Sequence, residues 1–286
     1  MNTASTSENN RRVCLITGAS KGIGWEITQV ALAQGYNVIA GSRNPEHITQ
    51  RLQQTDVGDH VLPVYLDVVD ESNIAAAIQA GRQQFGRIDV LINNAGYLLH
   101  GGIEELSDAE VRQSFAVNVF GLLNVTRAVL PLMRAQGNGR VINVASISAN
   151  ITTPAVGLYS ATKAAVLMVT EALAQEGADV GVTATAICPG GVRTDFLDAS
   201  SARRAENFIA DYSSVHEMEE ALAAGNHKQG GNPRKVAEAI ISVADMDNPP
   251  VRLYLGDDAL SGIRKKLSQV QDEITKHEAL SKSTTD

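Results

Sequence analysis

The chain has 286 residues, 44% of them hydrophobic and 20% charged, with a formal net charge of −8. That length suits one large α/β domain or two small ones. The acidic balance gives no general attraction to nucleic acid or to an anionic membrane surface.

Residues 1–10 are polar and lack an apolar h-region. They read as a disordered tail and argue against a secretory signal. No apolar run approaches the roughly 20 residues of a membrane span, so a soluble cytoplasmic protein is the simplest expectation. The first strand is predicted over Val13–Thr17. Thr17-Gly18-Ala19-Ser20-Lys21-Gly22-Ile23-Gly24 follows at once, and a helical pattern runs from there toward Gly35. Strand, glycine-rich turn and helix together point free backbone N–H groups and a helix N-terminus at a phosphate. The spacing is G-x-x-x-G-x-G rather than the commoner G-x-G-x-x-G.

A second strand over Asn37–Ala40 leads to Ser42 and Arg43. In dinucleotide-binding folds an acidic residue at this place holds the ribose hydroxyls and selects NAD. An Arg there clamps the 2′-phosphate of NADP instead, and Lys21 offers a second cation, so NADP(H) is expected. Strands are further predicted over Val61–Leu66 and Asp89–Asn93; Asp67 ends the first, and the second runs into Asn93-Asn94-Ala95-Gly96. Asn118 falls in a helical stretch, where its amide competes with the backbone.

The strand predicted over Arg140–Ala145 is followed by Ser146, 13 positions before Tyr159. Tyr159 and Lys163 are four apart, on one face of a helix. An ammonium there is expected to lower the pKa of the phenol and tune it for proton exchange with a carbonyl or alcohol oxygen. Two more strands are predicted over Val182–Ile187 and Val251–Leu255, with Pro189-Gly190 and Thr194 after the first. The segment 195–231 has weak strand character. Its Phe196, Leu197, Phe208, Ile209 and Tyr212 line a substrate or anchor the segment, with Tyr97, Leu98 and Leu99 as an opposite wall. Leu260, Ile263, Leu267, Val270 and Ile274 recur at helical spacing, in a last helix that caps the protomer or joins a partner.

Near-continuous Val/Ile/Leu strands separated by helices indicate a parallel sheet covered on both faces. With right-handed crossovers, this is a doubly wound, Rossmann-type single domain of class α/β. Cys14 and Cys188 read as buried thiols. His47, His60, His100, His216, His227 and His277 show no metal-ligand spacing and read as surface residues, so no metal is expected. No G-x-S-x-G elbow supports a hydrolase.

In this order and spacing, the motifs resemble the classical short-chain dehydrogenase/reductase family, from about Arg11 to about Gly256. The segment Asn248 to Ala259 loosely resembles a hydroxysteroid-dehydrogenase-like or carbonyl-reductase-like subgroup. The resemblance implies seven strands in the order 3-2-1-4-5-6-7, within a domain over 11–258, a substrate lid at about 195–231 and a C-terminal helix and tail over 259–286. It implies a catalytic quartet of Asn118, Ser146, Tyr159 and Lys163, Asn118 holding a water that links Lys163 to solvent. It implies cofactor contacts from Gly18, Ser20, Lys21, Gly22, Ile23, Gly24, Ser42, Arg43, Asp67, Val68, Asn94, Ala95, Gly96, Tyr159, Lys163, Pro189, Gly190, Val192 and Thr194. A homodimer or homotetramer is implied, packed through helices around 105–135 and 155–175. The expected activity is NADP(H)-dependent hydride transfer to a partly apolar ketone, or from the corresponding alcohol. The alternatives are a 3-oxoacyl-thioester reductase and a non-catalytic NADP(H)-binding regulator.

Overall fold

The computed structural model describes residues 11–53, 55 and 57–285. The tail expected over residues 1–10 lies outside the described residues. The strands, in chain order, are β1 (Val13–Thr17), β2 (Asn37–Ser42), β3 (Val61–Tyr65), β4 (Val90–Asn93), β5 (Leu98–His100), β6 (Gly139–Val144), β7 (Val182–Pro189), β8 (Ala202–Arg204) and β9 (Arg252–Leu255). The helices are α1 (Gly22–Ala33), α2 (Pro45–Leu52), α3 (Glu71–Phe85), α4 (Asp108–Phe115), α5 (Leu122–Gln136), α6 (Gly157–Glu176), α7 (Ser213–Gly225), α8 (Pro233–Asp245) and α9 (Asp257–Lys282).

Seven strands form one parallel sheet in the order β3-β2-β1-β4-β6-β7-β9. Counting only these strands, that is the expected 3-2-1-4-5-6-7. Successive strand residues point to opposite faces. Cys14 and Ile16 therefore pack with Ile27 and Val30 of α1 and Ile240 and Ile241 of α8. Val13 and Leu15 pack on the other face with Ile74 and Ile78 of α3 and Val125 and Val129 of α5. Burial on both faces is why these strands read as apolar runs without alternation. Cys14 and Cys188 are free and buried.

Local chemistry sets where several helices begin. Asp70 caps α3 by accepting from the N–H groups of Ser72 and Asn73, and Asn232 caps α8 in the same way. Ser107 and Glu110 form a capping box at α4. Between α4 and α5 the helix widens into a π segment over Ala116–Gly121. A Cβ on Gly121 would come within 2.5 Å of the Val68 Cγ2, so the turn needs glycine to approach β3's loop.

One expectation is corrected here. The helix Asp108–Gln136 is long and apolar enough, by length and composition alone, to cross a membrane. Polar residues such as Asn118, Asn124 and Arg127 interrupt it in the sequence, and in the fold Val125, Val129 and Met133 bury against the sheet. The segment 195–231 also contains more order than its composition suggests. β8 pairs in parallel with β5, Leu98 opposite Ala202, in a separate two-stranded sheet.

Candidate functional site

The strand order reverses between β1 and β4, and this switch point is where open α/β sheets bind ligands. Thr17 ends β1, and its Oγ1 accepts from the N–H groups of Asn94 and Ala95, both at 3.0 Å. The Asn94 amide returns bonds to the carbonyl oxygens of Thr17 and Gly18, at 3.0 and 3.1 Å. The two sequence motifs are thus one stapled unit. Gly18 has φ +67° and Gly22 φ +54°. A Cβ on Gly24 would stand 2.2 Å from the Gly18 carbonyl oxygen. Across the turn, the Thr194 Cβ lies 3.6 Å from where a Gly22 Cβ would be. A glycine floor, the N-terminus of α1 and a facing Thr make a cradle that fits a pyrophosphate.

The Pro189-Gly190 turn is fixed from α9. Asp258 accepts from the Gly191 N–H at 2.7 Å, and the Gly190 N–H donates to the Leu255 carbonyl at 2.9 Å. Val192 makes an isolated parallel bridge to Gly231, which closes the base of the segment 195–231. Asp258 has no motif of its own, which is why sequence reasoning missed it.

Ser146 follows β6 and caps the short helical turn Ile147–Ala149, its Oγ accepting from the Ser148 N–H at 3.0 Å. Tyr159 and Lys163 lie on α6, 8% and 5% exposed. The Lys163 Nζ donates to the Val144 carbonyl at 2.8 Å and stands 5.8 Å from the centre of the Tyr159 ring. Burial pulls its pKa down to about 8. The phenol of Tyr159 moves the other way. Burial pushes its pKa up, and a hydrogen bond with Ser146 opposes the rise only in part. The expectation of a lowered phenol pKa is therefore corrected, because desolvation dominates and only the Ser146 bond opposes it. Backbone strain adjoins this helix: Ala155, four residues before Tyr159, has φ +67°.

Asn118 sits in the π segment, not in a regular helix. Its Oδ1 accepts from the Tyr97 N–H at 3.0 Å and its Nδ2 donates to the Tyr97 carbonyl at 2.9 Å. The amide ties this helix to the loop after β4, beside Gly96, whose Cβ would lie 3.1 Å from the same Oδ1.

At the far end of the cradle Lys21 and Arg43 are close enough for each to repel the other's charge. The Lys21 Nζ donates to Ser200 Oγ at 2.7 Å. Burial lowers its pKa, while Asp195 and Asp198 raise it. Ser42 is buried and accepts from the Asn44 N–H at 3.0 Å, so it shapes the turn that carries Arg43. Asp67 accepts from the Val69 N–H at 3.2 Å, and buried Val68 packs behind it.

The segment 195–231 hangs on buried acids that the sequence did not signal. Glu105, 2% exposed, accepts from the N–H groups of Ile209 and Gly102 at 2.9 and 2.7 Å, and pairs with His216 at 3.0 Å. The Ile209 N–H leads the interactions that hold its pKa down to about 2. Glu219 pairs with His100 at 2.9 Å and with Arg204 at 2.6 Å. His100 and His216, and His60 bonded to Asn37, are therefore half-buried and not surface residues. Leu98 and Leu99 are buried, so they pack the small sheet and line no open wall. Phe196 does face the site, its ring centre 6.0 Å from that of Tyr159. Asp195, Asp198 and His227 bring ligand-capable atoms within 4.8 Å of one another. Sequence spacing hid this cluster, since His227 lies 29 residues from Asp198; hydrogen bonds from Asn226 and His227 to Asp198 account for it.

A doubly wound sheet with a glycine cradle at its switch point, and Ser, Tyr and Lys gathered beside it, defines a Rossmann-type oxidoreductase. Residues 12–205 match the family described as short chain dehydrogenase. The oxidoreductase BOA17 of Botryotinia fuckeliana is 35% identical over 250 residues, covering 87% of this chain and 90% of that protein. A short-chain dehydrogenase structure from Streptomyces avermitilis superposes with a TM-score of 0.89 at 35% identity, covering 97% of this chain and 100% of that one. ElxO with NADP bound gives a TM-score of 0.73 at 27% identity, over 88% and 99%. Solved neighbours hold NADP in some cases and NAD in others. The chain belongs to the short-chain dehydrogenase family, whose general chemistry is hydride transfer at carbonyl and alcohol carbons.

Proposed function

We propose that this chain interconverts a partly apolar ketone and its secondary alcohol with NADP(H), using Tyr159 as general acid/base. The observation that carries the reading is the convergence of Ser146, Tyr159 and Lys163 beside the glycine cradle, with Phe196 of the lid against the phenol. When bound, the nicotinamide supplies the hydride in reduction and takes it up in oxidation. The Ser146 hydroxyl holds the substrate oxygen where negative charge develops. Tyr159, kept protonated by burial, gives its O–H proton to that oxygen in reduction and takes one back in oxidation. Lys163, anchored on β6, places its cation below the phenol and stabilises the phenolate left after transfer. Asn118 acts as a positioning residue through its two bonds to Tyr97, and leaves one acceptor site for a water on the way to Lys163.

The choice of NADP(H) rests on Lys21 and Arg43, two mutually repelling cations where an anion with two or more charges relieves the repulsion. Phe196 supports a substrate with apolar surface next to its carbonyl.

The test is nicotinamide absorbance with a panel of free ketones and 3-oxoacyl thioesters, run with NADPH and with NADH. Ketone-dependent oxidation of NADPH is expected. Turnover confined to acyl thioesters would move the assignment to the thioester reductase, and tight cofactor binding with no turnover on any substrate would leave a regulator.

A further inference from the structure

Helix α9 starts on the body of the protein and then leaves it. Ala259 and Ile263 are buried, and a Cβ on Gly262 would come within 2.7 Å of the Ile151 Cδ1. From residue 271 through 285 every residue is exposed. At about 1.5 Å per residue its 26 residues extend roughly 39 Å. A helix that leaves its own core is marginal in water, because packing supplies most helical stability in proteins. This one also exposes Leu267 at 62% and Ile274 at 57%.

The apolar positions Leu260, Ile263, Leu267, Val270 and Ile274 alternate in steps of three and four. That is the 3.5-residue repeat of a coiled-coil seam, with Leu260, Leu267 and Ile274 at a and Ile263 and Val270 at d. The flanking positions are Lys266 and Glu273 at g, and Arg264, Gln271 and Glu278 at e. We propose that α9 pairs with α9 of a second copy of this chain as an antiparallel two-stranded coiled coil, centred on Leu267 packed against the partner's Val270.

Charge decides the direction. In a parallel pair each g residue faces the e residue of the next heptad, which sets Glu273 against the partner's Glu278. Reversing one helix sets g against g. In the register centred on Leu267 and Val270, Lys266 then faces the partner's Glu273, and the two-fold axis repeats the pair. The same register sets the partner's Ile274 at the foot of the helix beside Ile263, itself 8% exposed, with Leu260 at 38% exposure one turn earlier.

Sedimentation velocity on the full chain tests this. The double variant L267K/I274K is expected to lower the assembly mass by a factor of two while circular dichroism shows the body still folded. Lys266→Glu and Glu273→Lys should each weaken association about fivefold or more at low salt, and the double exchange should restore it. An unchanged mass in L267K/I274K would mean that another occupant, or none, covers this face, and would overturn the proposal. So would tighter association of the Glu273→Lys variant, which is the parallel result, because that exchange relieves the clash with Glu278.

Discussion

Lys163 is anchored to Val144: its Nζ donates to that carbonyl at 2.8 Å, at the last residue of β6 and two residues before Ser146. One bond therefore fixes the cation of α6 relative to the strand that delivers the hydroxyl. The same burial that makes the anchor rigid disfavours the charge, and the pKa falls to about 8.

The first prediction concerns that cost. Between the folded pKa of about 8 and the ordinary lysine value of 10.5, the unfolded chain binds the proton that the folded chain has lost. Stability attributable to Lys163 therefore rises as pH climbs through this window. Lys163→Met should remove this pH dependence and raise the melting temperature while abolishing turnover. Thermal melts from pH 7 to 10 on both proteins check it; parallel curves would contradict the assigned burial cost.

Tyr159→Phe tests the proton donor. The variant keeps the ring against Phe196 and loses only the hydroxyl shared with Ser146. Turnover should fall by at least about a thousandfold, which is within the range of general acid–base catalysis. NADPH affinity, read by fluorescence titration, should change less than about threefold, and the stability loss should be about 1 kcal/mol. Residual turnover near the parent rate would remove Tyr159 from the proposed role.

Arg43→Asp bears on cofactor choice. Replacing the exposed guanidinium by a carboxylate should weaken NADPH by about 10- to 100-fold, the size expected for lost charge-assisted bonds, and leave NADH within a few-fold. Lys21→Ala should act in the same direction, and it also frees Ser200 of the lid. Equal losses for both cofactors would show that these cations do not read the 2′-phosphate.

Glu105 anchors the segment 195–231 through Ile209 and His216. Its folded pKa of about 2 lies below the ordinary 4.5, so its contribution is complete above pH 4.5 and is lost as pH falls toward 2. Glu105→Ala would leave the Ile209 and Gly102 N–H groups and His216 without their acceptor. A loss of about 2–4 kcal/mol is expected, concentrated in the lid. Limited proteolysis should cut within 205–231 at pH 7 in the variant, and in the parent only under acid conditions. A lid as resistant as the parent's would refute the anchor.

The seven strands, the glycine turn and the Tyr159–Lys163 pair were legible in the chain because each depends on short spacing: a buried strand is a local apolar run, a phosphate turn is a local glycine pattern, and i, i+4 places two side chains on one helix face. The order of these motifs was enough to identify the family. What the chain could not reveal depends on which distant atoms surround a group. Tyr159 has its pKa raised by burial under elements far along the sequence. Glu105 is an anchor only because Ile209 and His216 fold back over it, about a hundred residues later. Asp258 matters only where α9 meets the Pro-Gly turn. Desolvation and hydrogen bonding act through space, so these properties came into being with the tertiary structure.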